Sequence, residues 1–77
     1  MNKDDVINLI KKQMDEEFNE SIRCETLSVQ ASKLGEDKNA LFYYNMTTMY
    51  VHSWSVLRKV LKEIKGLWNY IITGKIT

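Results

Sequence analysis

The sequence YYNMTTMYVHSWSVLRKVLKEIKGLWNYI, residues 43–71, decides the fold of this chain. Positions spaced alternately by three and four residues are almost all apolar or aromatic, as in a heptad repeat. This pattern predicts one long helix that must bury one side against other helices. We call its nine positions the heptad seam; they are Tyr43, Met46, Tyr50, Ser53, Leu57, Val60, Ile64, Leu67 and Ile71.

A first helical pattern precedes the seam. Asp4 and Asp5 favour a helix that begins near Asn2 or Lys3, because acidic side chains stabilise the positive end of the helix dipole. The middle of this helix is small and partly polar on its inward side, which leaves room for bulky aromatic side chains from the seam. Its predicted inward positions are Ile7, Ile10, Met14, Phe18, Ser21, Cys24 or Glu25, Ser28, Ala31 and Leu34.

A polar turn joins the two helical patterns. Gly35 is suited to end the first helix in the left-handed conformation, and Asp37 or Asn39 is suited to cap the second. The sequence therefore predicts an all-α fold, an antiparallel helical hairpin of helices at about 3–34 and 38–65. A short C-terminal extension follows, which either continues the second helix or folds back over the open end.

The size of the chain favours association. Residues 1–77 form one domain, and so short a chain buries too little surface for a robust core. Cys24 is the only cysteine and His52 the only histidine, so an internal disulfide and a cysteine-rich zinc site are both excluded. Oligomerisation is the remaining way to enlarge the core.

The apolar surface of the second helix is wider than one partner helix can cover. Apolar residues flank the seam at sevenfold spacing on both sides: Trp54, Leu61 and Trp68 on one, Phe42, Met49 and Val56 on the other. We therefore expect a homodimer or higher homo-oligomer in the form of a helical bundle. Its predicted interface comprises Tyr50, Trp54, Leu57, Leu61 and Trp68.

Charge is distributed unevenly along the chain. Residues 1–37 hold nine acids and five bases, whereas residues 38–77 hold six bases and one acid. The basic residues of the second helix lie on one side of that helix and are suited to bind an anionic partner. Tyr44 and His52 lie off the heptad seam, where a partner can also reach them. The predicted partner- or anion-binding residues are Tyr44, His52, Arg58, Lys59, Lys62 and Lys65.

Catalytic, metal and cofactor sites are not predicted. His52 lies near Ser53 and Ser55, but neighbours on one helix rarely reach attack geometry, and no oxyanion hole is indicated. Di-metal helical bundles need a Glu-x-x-His unit, and the residue three before His52 is Met49. Cys24 is expected to be a buried structural thiol.

The sequence thus favours a small non-enzymatic interaction protein that homo-oligomerises and binds another macromolecule, most simply another protein. A regulator, inhibitor or assembly factor fits this description, and the lysine-rich composition suits a bacterium or phage with an AT-rich genome. One alternative is a binder of an anionic small ligand, such as a nucleotide, at a subunit interface. The other is a nucleic-acid-binding protein that uses the basic face of the second helix. A polar start without a signal peptide and the absence of a membrane span favour the cytoplasm.

Overall fold

In the computed structural model, which describes residues 2–73 and the side chains of residues 2–67, two helices form an antiparallel hairpin. Helix α1 spans Lys3–Lys33 and helix α2 spans Asp37–Thr73. The molecule measures 58 × 20 × 12 Å, so it is one helix thick. The predicted all-α hairpin is confirmed. Within the described residues, neither helix is long and apolar enough to cross a membrane.

Helix α1 begins where the acidic start predicts. The side chain of Asn2 accepts a hydrogen bond from the Asp5 backbone N–H at 2.9 Å, and the Asp5 carboxylate accepts one from the Asn2 N–H at 3.4 Å. This reciprocal capping box satisfies backbone donors that have no partner inside the helix. Asp4 adds a second negative charge in the same turn.

The turn ends α1 in a Schellman motif. Gly35 has a φ of +74°, and its N–H donates to the Ser32 carbonyl at 3.1 Å. The Glu36 N–H donates to the Ala31 carbonyl at 2.9 Å, which closes the motif. The prediction for Gly35 is therefore confirmed. Leu34 occupies the C-cap and is 74% exposed, so its predicted inward position is wrong.

Helix α2 begins at the residue that was expected to cap it. Asp37 and Asn39 both lie inside its first turn, and the first turn closes by a 2.9 Å bond from the Ala40 N–H to the Glu36 carbonyl. The negative charge of Asp37 still favours this helix end through the dipole.

The far end of α2 extends beyond the predicted boundary near residue 65. The helix continues through Gly66 to Thr73. A glycine inside a helix costs about 1 kcal/mol but keeps its backbone hydrogen bonds, and no proline follows to stop the helix. The Trp68 side chain, predicted to lie at an interface, and residues 74–77 lie outside the described part.

Small side chains in the middle and the C-terminal part of α1 line the helix–helix contact. Ser21, Ala31 and Cys24 are buried, and Cys24 is only 2% exposed, as predicted for a structural thiol. The Ser28 hydroxyl donates to the Ala40 carbonyl of α2 at 2.9 Å. Such small residues let the backbones of the two helices approach each other. The half-buried aromatic residues of α2 are Tyr43, Tyr50 and Trp54.

Candidate functional site

The surface of α2 divides into columns of residues spaced by seven, because such residues share one face of a packed helix. Two adjacent columns face α1. Leu61, at 9% exposure, is the most buried described side chain of α2, and the rest of both columns is half-buried. These inward columns are Ala40, Thr47, Trp54 and Leu61, and Tyr43, Tyr50, Leu57 and Ile64.

Only half of the heptad seam therefore faces α1. The other half lies toward one edge of the contact, where Met46 and Ser53 are half-buried and Val60 and Leu67 are exposed. The neighbouring column adds exposed apolar residues on the same side. We call this surface the α2 stripe; its exposed members are Phe42, Met49, Val56, Val60 and Leu67.

Most residues predicted for an oligomer interface are engaged within the hairpin. Tyr50, Trp54, Leu57 and Leu61 belong to the inward columns and are buried or half-buried against α1. They leave little side-chain surface for a second chain, whereas Met49, on the α2 stripe, is 61% exposed. The interface itself stays a prediction, and the α2 stripe is the surface available for it.

The residues predicted to bind a partner are all exposed but do not share one surface. Tyr44, Arg58 and Lys65 belong to one column, on the side of α2 opposite the α2 stripe, and Lys62 lies in the adjacent column. His52 and Lys59 lie in the outermost column, which points away from α1. The structure therefore groups four of the six residues and separates the other two from them.

A groove runs between the helices on the side of Tyr44. Its volume is about 460 Å³. Tyr44 is 61% exposed at its edge, and Val51 is the next residue in the same column. The complete lining comprises Glu25, Ser28, Val29, Tyr44, Thr47, Thr48 and Val51.

An aromatic and cationic cluster lies farther along the same side. The rings of Phe18 and Trp54 are 6.3 Å apart and tilted by 47°, which is a favourable contact between the helices. The Arg58 guanidinium carbon lies 5.5 Å from the centre of the Trp54 ring, within cation–π range. Phe18 is nevertheless half exposed, so the prediction that it points fully inward is only partly correct.

Ion pairing between the helices is absent among the described residues. Their one salt bridge lies within α1, where the Arg23 guanidinium donates to the Glu20 carboxylate at 2.7 and 3.1 Å. This hydrogen bonding lowers the pKa of Glu20 and raises that of Arg23. The acidic segment of α1 and the basic segment of α2 therefore form no direct pair there.

Two kinds of reactive site can be checked against the geometry of the described residues, a metal site and a His–Ser pair. No group of three or more histidine, cysteine, aspartate and glutamate side chains within the described part could hold a metal ion. His52 lies in the outermost column and Ser53 on the edge of the α2 stripe, so the two side chains leave the helix in different directions.

Sequence reasoning missed the α1 wall of the groove. Val29 and Glu25 were not predicted to bind anything, and Val51 was not recognised as the neighbour of Tyr44. The sevenfold spacing of Tyr44, Val51 and Arg58 was the signal that could have found this column. The corresponding signal on α1 is the pair of exposed apolar residues Ile22 and Val29, also seven apart.

The interpretation of these surfaces depends on their geometry. No protein-family model, curated protein or solved structure matches this chain. Exposure, spacing and charge of the described residues therefore carry the proposals that follow.

Proposed function

We propose that this protein is a non-enzymatic cytoplasmic interaction protein that homodimerises through the α2 stripe and binds another macromolecule. Such a protein acts as a regulator, inhibitor or assembly factor. The observation that carries the proposal is the exposure of the α2 stripe, where Phe42, Met49 and Leu67 are each more than half exposed. Contiguous apolar surface of this kind is typical of association sites.

The small core of the hairpin supports a second copy as the occupant. Among the described residues, the buried hydrophobic side chains are Ile7, Cys24, Ala31 and Leu61, whereas thirteen large hydrophobic side chains are exposed. Domains of this size usually need an added disulfide, metal or subunit to be stable. A second copy supplies the same stripe, and covering each half-exposed side chain contributes about 1 kcal/mol.

The charges of α2 favour an antiparallel arrangement of the two copies. Residues 39–57 carry no lysine, arginine, aspartate or glutamate, whereas residues 58–65 carry four bases and one acid. A parallel dimer would place the basic segments side by side, and like charges repel. An antiparallel dimer places each basic segment beside the uncharged half of the other copy.

One antiparallel register uses the α2 stripe along its whole length. Phe42 then lies beside the partner's Leu67, and Met49 beside the partner's Val60. The two-fold axis falls between residues 54 and 55, where Val56 packs beside the partner's Ser53. This register also overlaps the two α2 helices almost completely, since they span residues 37–73.

Substitution of the stripe near its two-fold axis tests the proposal. Val56→Glu buries an unpaired carboxylate from each copy close to the axis, which costs several kcal/mol. We expect the dimer dissociation constant from sedimentation equilibrium to rise by at least about 100-fold. The matched control is Ser55→Glu, which adds the same charge at the next, exposed residue and should leave the dimer intact.

Helicity provides a second measurement. If dimerisation completes the core, the wild-type protein should lose helical circular dichroism signal when it is diluted below the dimer dissociation constant. The Val56→Glu variant should show this loss at a higher protein concentration than the wild type. A wild-type chain that sediments as a fully helical monomer at micromolar concentration would refute the dimer.

A further inference from the structure

The side of the hairpin opposite the α2 stripe carries a second, differently built surface, which we call the groove face. On α2 it follows the column of Tyr44, Val51, Arg58 and Lys65. On α1 it follows two columns, one containing Phe18 and Glu25 and the other Ile22 and Val29. The groove and the Phe18–Trp54 contact both lie on this side.

The half of the groove face nearer the turn is apolar. Val29, Ile22, Phe18 and Val51 each retain about half of their exposure. Phe18 and Val29 lie eleven positions apart, so the apolar zone is about 16 Å long at 1.5 Å per residue. This length matches about three turns of a third helix lying between the two helices of the hairpin.

The half nearer the chain termini is cationic along α2. Arg58 begins this zone above the Trp54 ring, and exposed Lys62 and Lys65 continue it. Lys3, Lys11 and Lys65 line a common surface depression between the helices, together with one acid, Asp4. The described salt bridge joins Arg23 to Glu20 elsewhere on α1, so it does not neutralise this zone.

We propose that the groove face binds an amphipathic helix of another protein. Its apolar side fills the groove, and acidic side chains on its next two turns meet Arg58, Lys62 and Lys65. The inference rests on the proposed role in binding another macromolecule but is independent of the dimer. The order of the two zones, apolar and then cationic, selects a helix with apolar and then acidic residues along one side.

The division of the groove face into zones disfavours the anionic alternatives. Nucleic acid binding depends on many contacts between basic side chains and phosphates. Half of the groove face lacks such side chains, and the acidic side chain of Glu25, which lines the groove, would repel phosphate. A single nucleotide is also too short. Fourteen residues separate Tyr44 from Arg58 in one column, which is about 21 Å along α2.

A pair of synthetic peptides tests the proposal on the unmodified chain. Both are amphipathic helices with the same apolar residues over about three turns; the following turns carry glutamate in one peptide and lysine in the other. We expect the glutamate peptide to bind at least about tenfold more tightly, as measured by fluorescence anisotropy of the labelled peptide. Amide chemical-shift changes in the ¹⁵N-labelled protein should centre on Val29, Tyr44 and Val51.

Charge reversal separates specific from nonspecific binding. The double change Arg58→Glu and Lys62→Glu should invert the preference, so that the lysine peptide binds more tightly. Val51→Glu should weaken both peptides, whereas His52→Glu, at the adjacent residue in the outermost column, is the matched control and should change little. The sedimentation of each variant should remain that of the wild type, because none of these residues lies on the α2 stripe.

Three results would overturn the proposal: no binding of the glutamate peptide, equal binding of both peptides, or shift changes confined to the α2 stripe. Tighter binding of an oligonucleotide, lost in the charge-reversed variant, would assign the face to nucleic acid instead. Failure of the dimer is distinguishable, because a monomeric wild-type hairpin still displays the groove face and can be titrated with both peptides.

Discussion

The antiparallel register makes a distance prediction that a parallel dimer cannot reproduce. Asn45, His52 and Lys59 occupy the outermost column of α2 and are exposed. Replacing each in turn by cysteine, in a Cys24→Ser background, places a nitroxide label on the same side of the helix in three proteins. The flexible tether of the label then has a similar orientation at all three sites, so differences between the sites report the register.

The expected separations follow from helix geometry. In the proposed register residue 45 lies level with the partner's residue 64, which is 19 residues or about 28 Å along the axis. Residue 52 is displaced from its symmetry mate by about 8 Å and residue 59 by about 14 Å. With an interaxial distance of about 10 Å, the three helix-to-helix separations are about 30, 12 and 17 Å.

Double electron–electron resonance measures the longer separations, and line broadening of the continuous-wave spectrum reports the shortest. The predicted sequence of distances falls from Asn45 to His52 and rises again at Lys59, because the two-fold axis lies between residues 54 and 55. Equal distances at all three sites would indicate a parallel dimer. A shortest label-to-label distance at Lys59 would place the two-fold axis elsewhere on α2. The absence of a dipolar interaction at all three sites would refute the dimer.

Three further predictions concern the hairpin itself. Gly35→Ala should lower the free energy of unfolding by about 1–2 kcal/mol, as measured by urea denaturation, because the φ of +74° is unfavourable for alanine. The cost comes from the backbone conformation, since no neighbouring atom lies within 4 Å of the added Cβ. An unchanged stability would contradict the left-handed turn. Ser21→Leu should lower the free energy of unfolding by about 1–3 kcal/mol through overpacking between the helices, whereas Asn19→Leu, on the exposed side of α1, should not. Equal effects of the two substitutions would argue against a close approach of the two helices at Ser21. Arg23→Ala should raise the pKa of Glu20 toward its ordinary value, measured by carbon-detected NMR titration. Because the Glu20 pKa is lowered, the Glu20–Arg23 pair stabilises the fold at a pH above the usual glutamate pKa. This contribution is lost as the pH falls through the lowered pKa. Identical titration of Glu20 in the wild type and in the Arg23→Ala variant would show that the pair does not form in solution.

The turn and the start of α1 were predictable because their signals are local. Asn2 and Asp5 form a capping box through bonds between residues three apart, and Gly35 is the residue that a left-handed helix end requires. Neither feature depends on how the two helices are rotated against each other. The end of α2 was harder, because Gly66 weakens a helix without breaking its hydrogen bonds.

The rotation of α2 was not predictable from its own sequence. Its apolar arc is so wide that α2 could pack against α1 through Met46 and Val60 or through Trp54 and Leu61. In the structure, Trp54 and Leu61 face α1. Small residues on α1, among them Ser21 and Cys24, leave space beside them that bulky side chains can fill. Packing complementarity between two segments distant in sequence therefore decided which apolar residues stayed exposed for the candidate site.

The thickness of the hairpin supports the proposal that both faces bind partners, and charge distinguishes the proposed partners. At 12 Å the molecule is one helix thick, so residues outside the facing columns can be buried only by another molecule. The groove face carries Arg58, Lys62 and Lys65, and two such faces would repel each other if they met in parallel. The two columns of the α2 stripe include one charged residue, Glu63, and tolerate a copy of themselves far better. Electrostatics thus supports the proposed self-association through the α2 stripe and the proposed binding of an acidic helix to the groove face.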